Sequence, residues 1–270
     1  MSLRYSLFSN NIARHIRNFI GIKKTIALKP KNKEDSISDF FFWKNSSDFK
    51  TKFFLTNLAS QILPEINQID NIKILIYDNK GNLIKQLKYN LKYFETIEIY
   101  FENLGVNGFG SFLVFHSFKN NLQLIKNKSH IAERGYIGYS INNQLWNFMH
   151  GNNYSAFENT KNSHHYSIRS ILAKSLKVET YMPQVTFNDC ESFELIINNP
   201  SHKNIKIKIS FFDKQDIEIN QKDILIPSMG TLINLHDAGQ INKVRVFSNF
   251  IMLRPIIKKN YRSYFDVFHG

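Results

Sequence analysis

Few residues in this 270-residue chain could do chemistry, and the histidines are the most suggestive of them. His116 closes "SFLVFH", His150 and His269 precede glycine in "WNFMHG" (146–151) and "FDVFHG" (265–270), and His164 and His165 stand side by side between those hexamers. Imidazoles arriving from separate strand ends can converge on a transition metal, so His116, His150, His164, His165 and His269 form a candidate metal set. The competing reading is structural: a His at a strand end bonds a loop carbonyl while the following Gly takes a positive φ.

Two arginines raise a similar choice. Arg134 in "ERGYIGY" and Arg254 in "LRPII" sit in apolar strand-like surroundings, where an unpaired guanidinium costs several kcal/mol. Glu133 is a poor partner for Arg134, because neighbours on a strand face opposite ways. Internal pairing and an anionic or sugar ligand both satisfy the requirement. "NNQLWNFMHGNNY" (142–154) adds Trp146 and Asn152 beside His150, and such a composition suits a glycan, whose rings stack on aromatic faces while amides bond its hydroxyls. Trp146 would serve equally as a core plug. The candidate ligand contacts are therefore Arg134, Trp146, His150, Asn152, Arg254 and His269.

No catalytic residue is assigned, since the chain lacks a Gly-rich phosphate loop, a G-x-S-x-G elbow, an H-E-x-x-H helix and any pair of cysteines. The single Cys190 is read as a small buried residue rather than a nucleophile. One cysteine gives no internal disulfide and no Cys-based zinc cluster, which makes the cytoplasm the default location.

These residues must be held by something, and from Asp39 onward the chain is written in strand grammar: short runs of Ile, Phe, Tyr and Val separated by Asn, Asp, Gly and Lys. The runs recur. "KILIYD" (73–78) and "KISFFD" (208–213) lie 135 residues apart, and "TIEI" (96–99) and "TLIN" (231–234) keep that spacing. "FFLTN" (53–57) answers "ELIINN" (194–199), "NLG" (103–105) answers "DAG" (237–239), and "GSFLVF" (110–115) answers "KVRVFS" (243–248). Arg134 and His150 then match Arg254 and His269 at nearly equal separations.

Ordered matches of this kind point to duplication. The expected fold is all-β, two tandem antiparallel β-sandwich repeats preceded by a short amphipathic N-terminal helix. The expected boundaries are 1–38 for the basic helix and linker, 39–151 for repeat 1, 152–178 for a connecting segment and 179–270 for repeat 2. Within one repeat, "IKILIYDNKGN", "TIEIYF" and "SFLVFH" follow in an order that resembles bacterial immunoglobulin-like β-sandwich domains of the sensory rhodopsin transducer type. The resemblance implies an immunoglobulin-like fold and carries little about activity.

The net charge of +13 would suit nucleic acid, but six of the cations, Arg4, Arg14, Arg17, Lys23, Lys24 and Lys29, crowd into the acid-free first thirty residues. The Lys-Asn-Ile bias elsewhere is what AT-rich coding produces, so nucleic acid is not the expected partner. Phe8, Ile12, Ile16, Phe19 and Ile20 share one helical face there. Such a helix could pack on the body, dock peripherally on a membrane or act as a targeting segment. "KPKNKEDS" (29–36) is its linker, and no apolar run is long enough for a transmembrane segment. Two functions follow: a non-catalytic binding or assembly module for a protein or glycan, tied to bacterial surface glycan or envelope processes, or a metal-dependent enzyme built on the histidines. The former needs no cofactor and the latter a transition metal.

Overall fold

The clearest period-two alternation in the chain, "FKTKFFLT", forms a strand whose residues are alternately buried and half-exposed, with Phe49, Thr51, Phe53 and Leu55 turned inward. The computed structural model describes residues 36–65, 67–117, 132–142, 144–152, 154–158, 168–170, 174–250 and 253–270, and it is built almost wholly of such strands. The first half carries β1 (Ile37–Asp39), β2 (Phe41–Asn45), β3 (Phe49–Thr56), β4 (Asp70–Asp78), β5 (Leu83–Leu91), β6 (Thr96–Tyr100), β7 (Gly108–Ser117), β8 (Ala132–Glu133), β9 (Tyr136–Ile141) and β10 (Asn147–His150). After it come β11 (Tyr154–Glu158), β12 (Ile168–Ser170), β13 (Lys174–Tyr181), β14 (Ser192–Asn198), β15 (Ile205–Phe212), β16 (Glu218–Ile226), β17 (Thr231–Asp237), β18 (Lys243–Phe250), β19 (Ile256–Asn260) and β20 (Phe265–His269). One short helix, α1 (Leu58–Ile62), is N-capped by Asn57, whose Oδ1 accepts from the Ser60 amide at 3.1 Å. The amphipathic helix expected near the N-terminus lies outside the described residues.

Four antiparallel sheets of four strands hold the core. In the first half they run β10-β9-β3-β6 and β2-β7-β4-β5, and in the second β20-β19-β14-β17 and β13-β18-β15-β16. The pairing order is the same in both. A fifth sheet, β12-β11-β1-β8, contains the parallel pair of β1 and β8; the sequence reading did not anticipate it. The first core stacks Phe41 on Phe112 at 4.9 Å between ring centres, with Phe53 edge-on to both, and draws in Ile196, Ile256, Phe265 and Val267 from the second half. The second core gathers around Phe187, Phe193, Ile209 and Phe211. Each such ring withdraws enough apolar surface to contribute roughly 2–3 kcal/mol.

Backbone corners recur along with the strands. Asp78 Oδ1 accepts from the amides of Lys80 and Asn82 at 2.9 and 2.8 Å, and Asp213 Oδ1 accepts from those of Gln215 and Ile217, both at 2.9 Å. Each of these turns passes through a positive φ, at Gly81 (85°) and Asp216 (64°). Buried Asn57 donates to the carbonyls of Gln68, Leu91 and Lys92, and buried Asn199 donates to those of Lys203, Ile226 and Pro227. Phe94 and Met229 share φ values of 56° and 55°.

One alignment slips. Tyr77 pairs with Ser111 and Phe212 with Lys243, so β18 matches β7 one residue away from the reading that set Gly110 against Lys243. The slip matters because it exchanges faces: in the observed register Val114 and Val246 both enter a core.

Candidate functional site

The two His-Gly ends meet. β10 and β20 are the edge strands of their sheets and lie side by side: Asn147 Nδ2 donates to Asp266 Oδ1 at 2.7 Å, and His150 Nδ1 lies 3.3 Å from His269 Nε2. The neighbouring glycine amides do the tying that had been expected of the imidazoles. Gly151 donates to the Arg134 carbonyl at 3.4 Å and Gly270 to that of Pro255 at 2.9 Å. Neither glycine has a positive φ. Gly151 is needed for space, since a Cβ there would fall 2.3 Å from the Cβ of Asp39.

Arg134 and Arg254 are not inside strands, as the sequence suggested, but in the segments leading into β9 and β19. Arg134 forms an ion pair with Asp39, Nε to Oδ2 3.3 Å, in which the carboxylate is fully buried and the guanidinium is 44% exposed. Burial pushes the Asp39 carboxyl up to about 7 against the pull of Arg134. Arg254 clasps Asn152: its Nε donates to Asn152 Oδ1 at 3.3 Å, its Nη2 donates to the Asn152 carbonyl, and Asn152 Nδ2 returns a bond to the Arg254 carbonyl at 2.8 Å. Burial, together with the charges of Arg254, His150 and Arg134, holds the His269 imidazole down near 4. The corner is thus a compact, positively charged place that keeps His269 neutral.

Of the four candidate ligand residues beyond the histidine pair, three, Arg134, Asn152 and Arg254, belong to the corner, and Trp146 does not. Trp146 is half-buried on the outer face of the β10-β9-β3-β6 sheet, so it is not a core plug; Trp43 fills that role, with no exposure. Trp146 stands with Phe54, Tyr100 and Phe148 around the Lys52 ammonium, which lies 4.6 Å from the Trp146 ring centre. Gly138 makes room beneath them, because a Cβ there would come 2.5 Å from the Phe148 ring.

From this aromatic face to the corner runs a groove of about 820 Å³. Phe54, Tyr136 and Phe148 supply rings, and Thr56, Gln61, Thr96, Arg134 and His150 supply polar groups. Tyr136 stands edge-on to His150 at 5.9 Å.

His116 does not join the other histidines. It lies on the core face of β7, fully buried, with Nδ1 2.6 Å from Asp70 Oδ2 and Nε2 2.8 Å from Glu133 Oε2. Both ring nitrogens are committed, so the ring has no lone pair to offer a metal. Burial alone would lower its pKa, but the two carboxylates outweigh burial and raise it to about 10. Glu133 does face away from Arg134, as strand alternation requires. His164 and His165 lie outside the described residues. Among the described residues no group of three or more His, Cys, Asp or Glu is placed to hold a metal ion. Cys190 is half-buried, its thiol bonds the Phe187 carbonyl at 3.3 Å, and burial pushes its pKa up.

Sequence reasoning missed Asp39, Asp70 and Glu133. The available signal was parity: His116 shares it with Phe112 and Val114, so an inward imidazole demanded buried partners.

No protein-family description and no curated protein matches the chain. Among solved structures it is similar to a β-glucuronidase from glycoside hydrolase family 2, at 11% identity and a TM-score of 0.18 over 86% of this chain and 23% of that one. It is also similar to a glycosyl hydrolase family 2 member from Bacteroides cellulosilyticus DSM 14838, at 8% identity and a TM-score of 0.15 over 91% of this chain and 30% of that one. The chain spans less than a third of either protein, and likeness at these TM-scores carries no argument.

Proposed function

We propose that the chain is a non-catalytic binding module made of two tandem immunoglobulin-like repeats, and that it holds a saccharide in the groove of the first. The identical strand order of the two halves and their repeated Asp and Asn corners support the duplication. The observation that carries the binding reading is the groove itself, where exposed rings, Tyr136 at 60% and Phe148 at 45%, alternate with amide, hydroxyl and guanidinium groups. Sugar rings offer flat C–H faces to such aromatics and hydroxyls to such polar groups. In this reading a cytoplasmic location and a bacterial surface-glycan role stay attached to the module as its setting. No helix among the described residues is long and apolar enough to cross a membrane.

Calorimetric titration against a panel of neutral and acidic oligosaccharides tests the proposal. Phe148→Ala and Tyr136→Ala, both exposed rings that line the groove, should weaken binding at least tenfold while leaving the melting temperature nearly unchanged. A panel with no binder would overturn it.

One observation favours the metal reading. The 3.3 Å between His150 Nδ1 and His269 Nε2 is close to the spacing of about 3.4 Å that two imidazoles take on one tetrahedral zinc. Arg134 and Arg254 repel a cation from that place, and their charges act on His269. Elemental analysis of the purified chain decides: one tightly held transition metal per chain would establish the metal reading, and none would end it.

A further inference from the structure

We infer that the Tyr93–Glu95 corner is a docking knob, and that its occupant is a β-sandwich unit of another polypeptide that presents an apolar sheet face beside a glycine turn. This contact is independent of the saccharide reading, since Phe94 is not among the residues lining the groove.

The corner has a counterpart in the second half, and that counterpart is occupied. Phe94 and Met229 stand 135 residues apart in the same left-handed conformation. The bonds that shape the two corners match. The Glu95 amide donates to the Lys92 carbonyl and the Gly230 amide to that of Pro227, both at 3.0 Å, while the backbone amides of Asn57 and Asn199 donate to the carbonyls of Glu95 and Gly230. Met229 is 3% exposed, because it enters a cluster with Phe40, Leu75, Tyr77, Leu113 and Phe115 of the first half. The backbone seats with it: the Thr231 amide donates to the Asn79 carbonyl at 3.0 Å, and a Cβ on Gly81 would fall 1.8 Å from the Ser228 carbonyl oxygen. Within the chain, this kind of corner already docks on the outer sheet face and Asp turn of a neighbouring unit.

Phe94 has no such seat among the described residues. It is 52% exposed, with the Tyr93 ring 4.4 Å away. A bulky aromatic at positive φ is uncommon, yet this one is braced: the Phe94 amide donates to Ser60 Oγ at 2.9 Å, and the Tyr93 hydroxyl donates to the Pro64 carbonyl. An exposed ring on a fixed corner is the type of anchor that protein interfaces use.

The second half of another copy offers no equivalent seat. Its outer face has Ser210 where the first half has Leu75, Arg245 for Leu113 and Asp216 for Gly81. Asp216 lies 3.0 Å from the Lys243 ammonium and 3.9 Å from the Arg245 guanidinium, which covers the Phe212 ring at 4.1 Å. The Cβ of Asp216 also fills the space that the Ser228 carbonyl takes beside Gly81, so this face is closed by shape as well as by charge. Head-to-tail contacts propagate unless a polar end caps them; here the second half is the cap, and the corner of the first half is left open. Glu95 replaces Gly230, where a Cβ would come 2.9 Å from the Asn79 carbonyl, which sets the partner's turn slightly farther out.

Analytical ultracentrifugation of two chains tests this. The acceptor carries Ser210→Leu, Arg245→Leu and Asp216→Gly, which restore an apolar face and glycine turn, together with Phe94→Asp, which removes its own knob; the donor is the unaltered chain. Each alone should sediment as a monomer, and the mixture should form a 1:1 complex with a Kd on the order of 10 μM. Phe94→Asp in the donor should weaken that complex at least tenfold. No complex with a folded acceptor, or one indifferent to Phe94→Asp in the donor, would overturn the inference. Self-association of the unaltered chain that Phe94→Asp disperses would make a second copy the occupant and overturn the cap. If the acceptor does not melt cooperatively, Met229→Phe decides instead, because it places the first half's ring on the seat the second half uses. A melting temperature within about 3 °C of the parent supports the inference, and a fall as large as that of Met229→Asp overturns it.

Discussion

Where β5 and β16 end, the two halves of the chain do the same thing; at the inner ends of β7 and β18 they do opposite things. Asn57 and Asn199 each spend one side-chain amide on three carbonyls at the start of a turn. By contrast, the pairing that sets Ile72 against His116 puts Ser248 at the matching place in the second half, where Ile205 stands for Asp70 and Leu253 for Glu133. A buried triad of Asp, His and Glu in one half is Ile, Ser and Leu in the other, and both sets are buried. The corners close backbone hydrogen bonds that any sheet of this order leaves open, so they recur. Apart from the Gly135 amide, which donates to Glu133 Oε1, the triad closes no backbone hydrogen bond of the sheets. Its consequence is local: it anchors Glu133, and with it the segment that presents Arg134 to the groove.

The largest test of that contrast is His116→Ala, which leaves two buried carboxylates without their cation. It should cost about 3–5 kcal/mol in urea unfolding. Giving the first half the residues of the second, as Asp70→Ile, His116→Ser and Glu133→Leu together, should instead leave stability within about 1–2 kcal/mol of the parent, while weakening binding in the groove. A triple variant as unstable as His116→Ala would show that the first half depends on the triad for its fold.

Next come the shared corners. Asn57→Ala and Asn199→Ala should each destabilise by about 2–3 kcal/mol, because buried carbonyls lose their donor. Unequal costs, measured under the same denaturant, would break the equivalence of the two halves.

Alkali offers a smaller effect that distinguishes the halves without mutation. The folded-state pKa of His116 is about 10, above its ordinary 6.5. Its stabilisation is therefore fully present below pH 6.5 and is lost as pH rises through about 10. The triple variant should lack that share of the alkaline loss, which stability curves at pH 8 and pH 10.5 would read. Smallest of all, His150→Ala should change stability by about 0.5 kcal/mol or less, since its ring is exposed and the Gly151 amide does the tying. A larger drop would return His150 to a structural role.

The matching strand order of the two halves was legible because β4, β5 and β6 are answered by β15, β16 and β17 at a constant spacing of 135 residues, each with an Asp turn after its first strand. The sheet built from β1, β8, β11 and β12 was not, since its strands run from two to five residues and show no period over so short a length. The meeting of His150 with His269 followed from neither pattern nor composition. It depends on how two edge strands lie against each other, which is a property of packing between halves. Asp39 was hidden for a related reason: inside "SDFFFW" it reads as a strand boundary, and only the approach of Gly151 and Arg134 gives it a role.

The side-by-side placement of β10 and β20 has a further bearing on contact between one chain and another. An unguarded outermost strand invites docking of another chain, and repeated docking builds fibres. Here one edge strand of each half is flanked by an edge strand of the other, through Asn147 with Asp266 and His150 with His269. Severed halves would each lose that guard and leave an open strand edge. Self-association of an isolated half would then be the expected price of the cut, and covalent tandem linkage is the arrangement that satisfies the pairing once and stops.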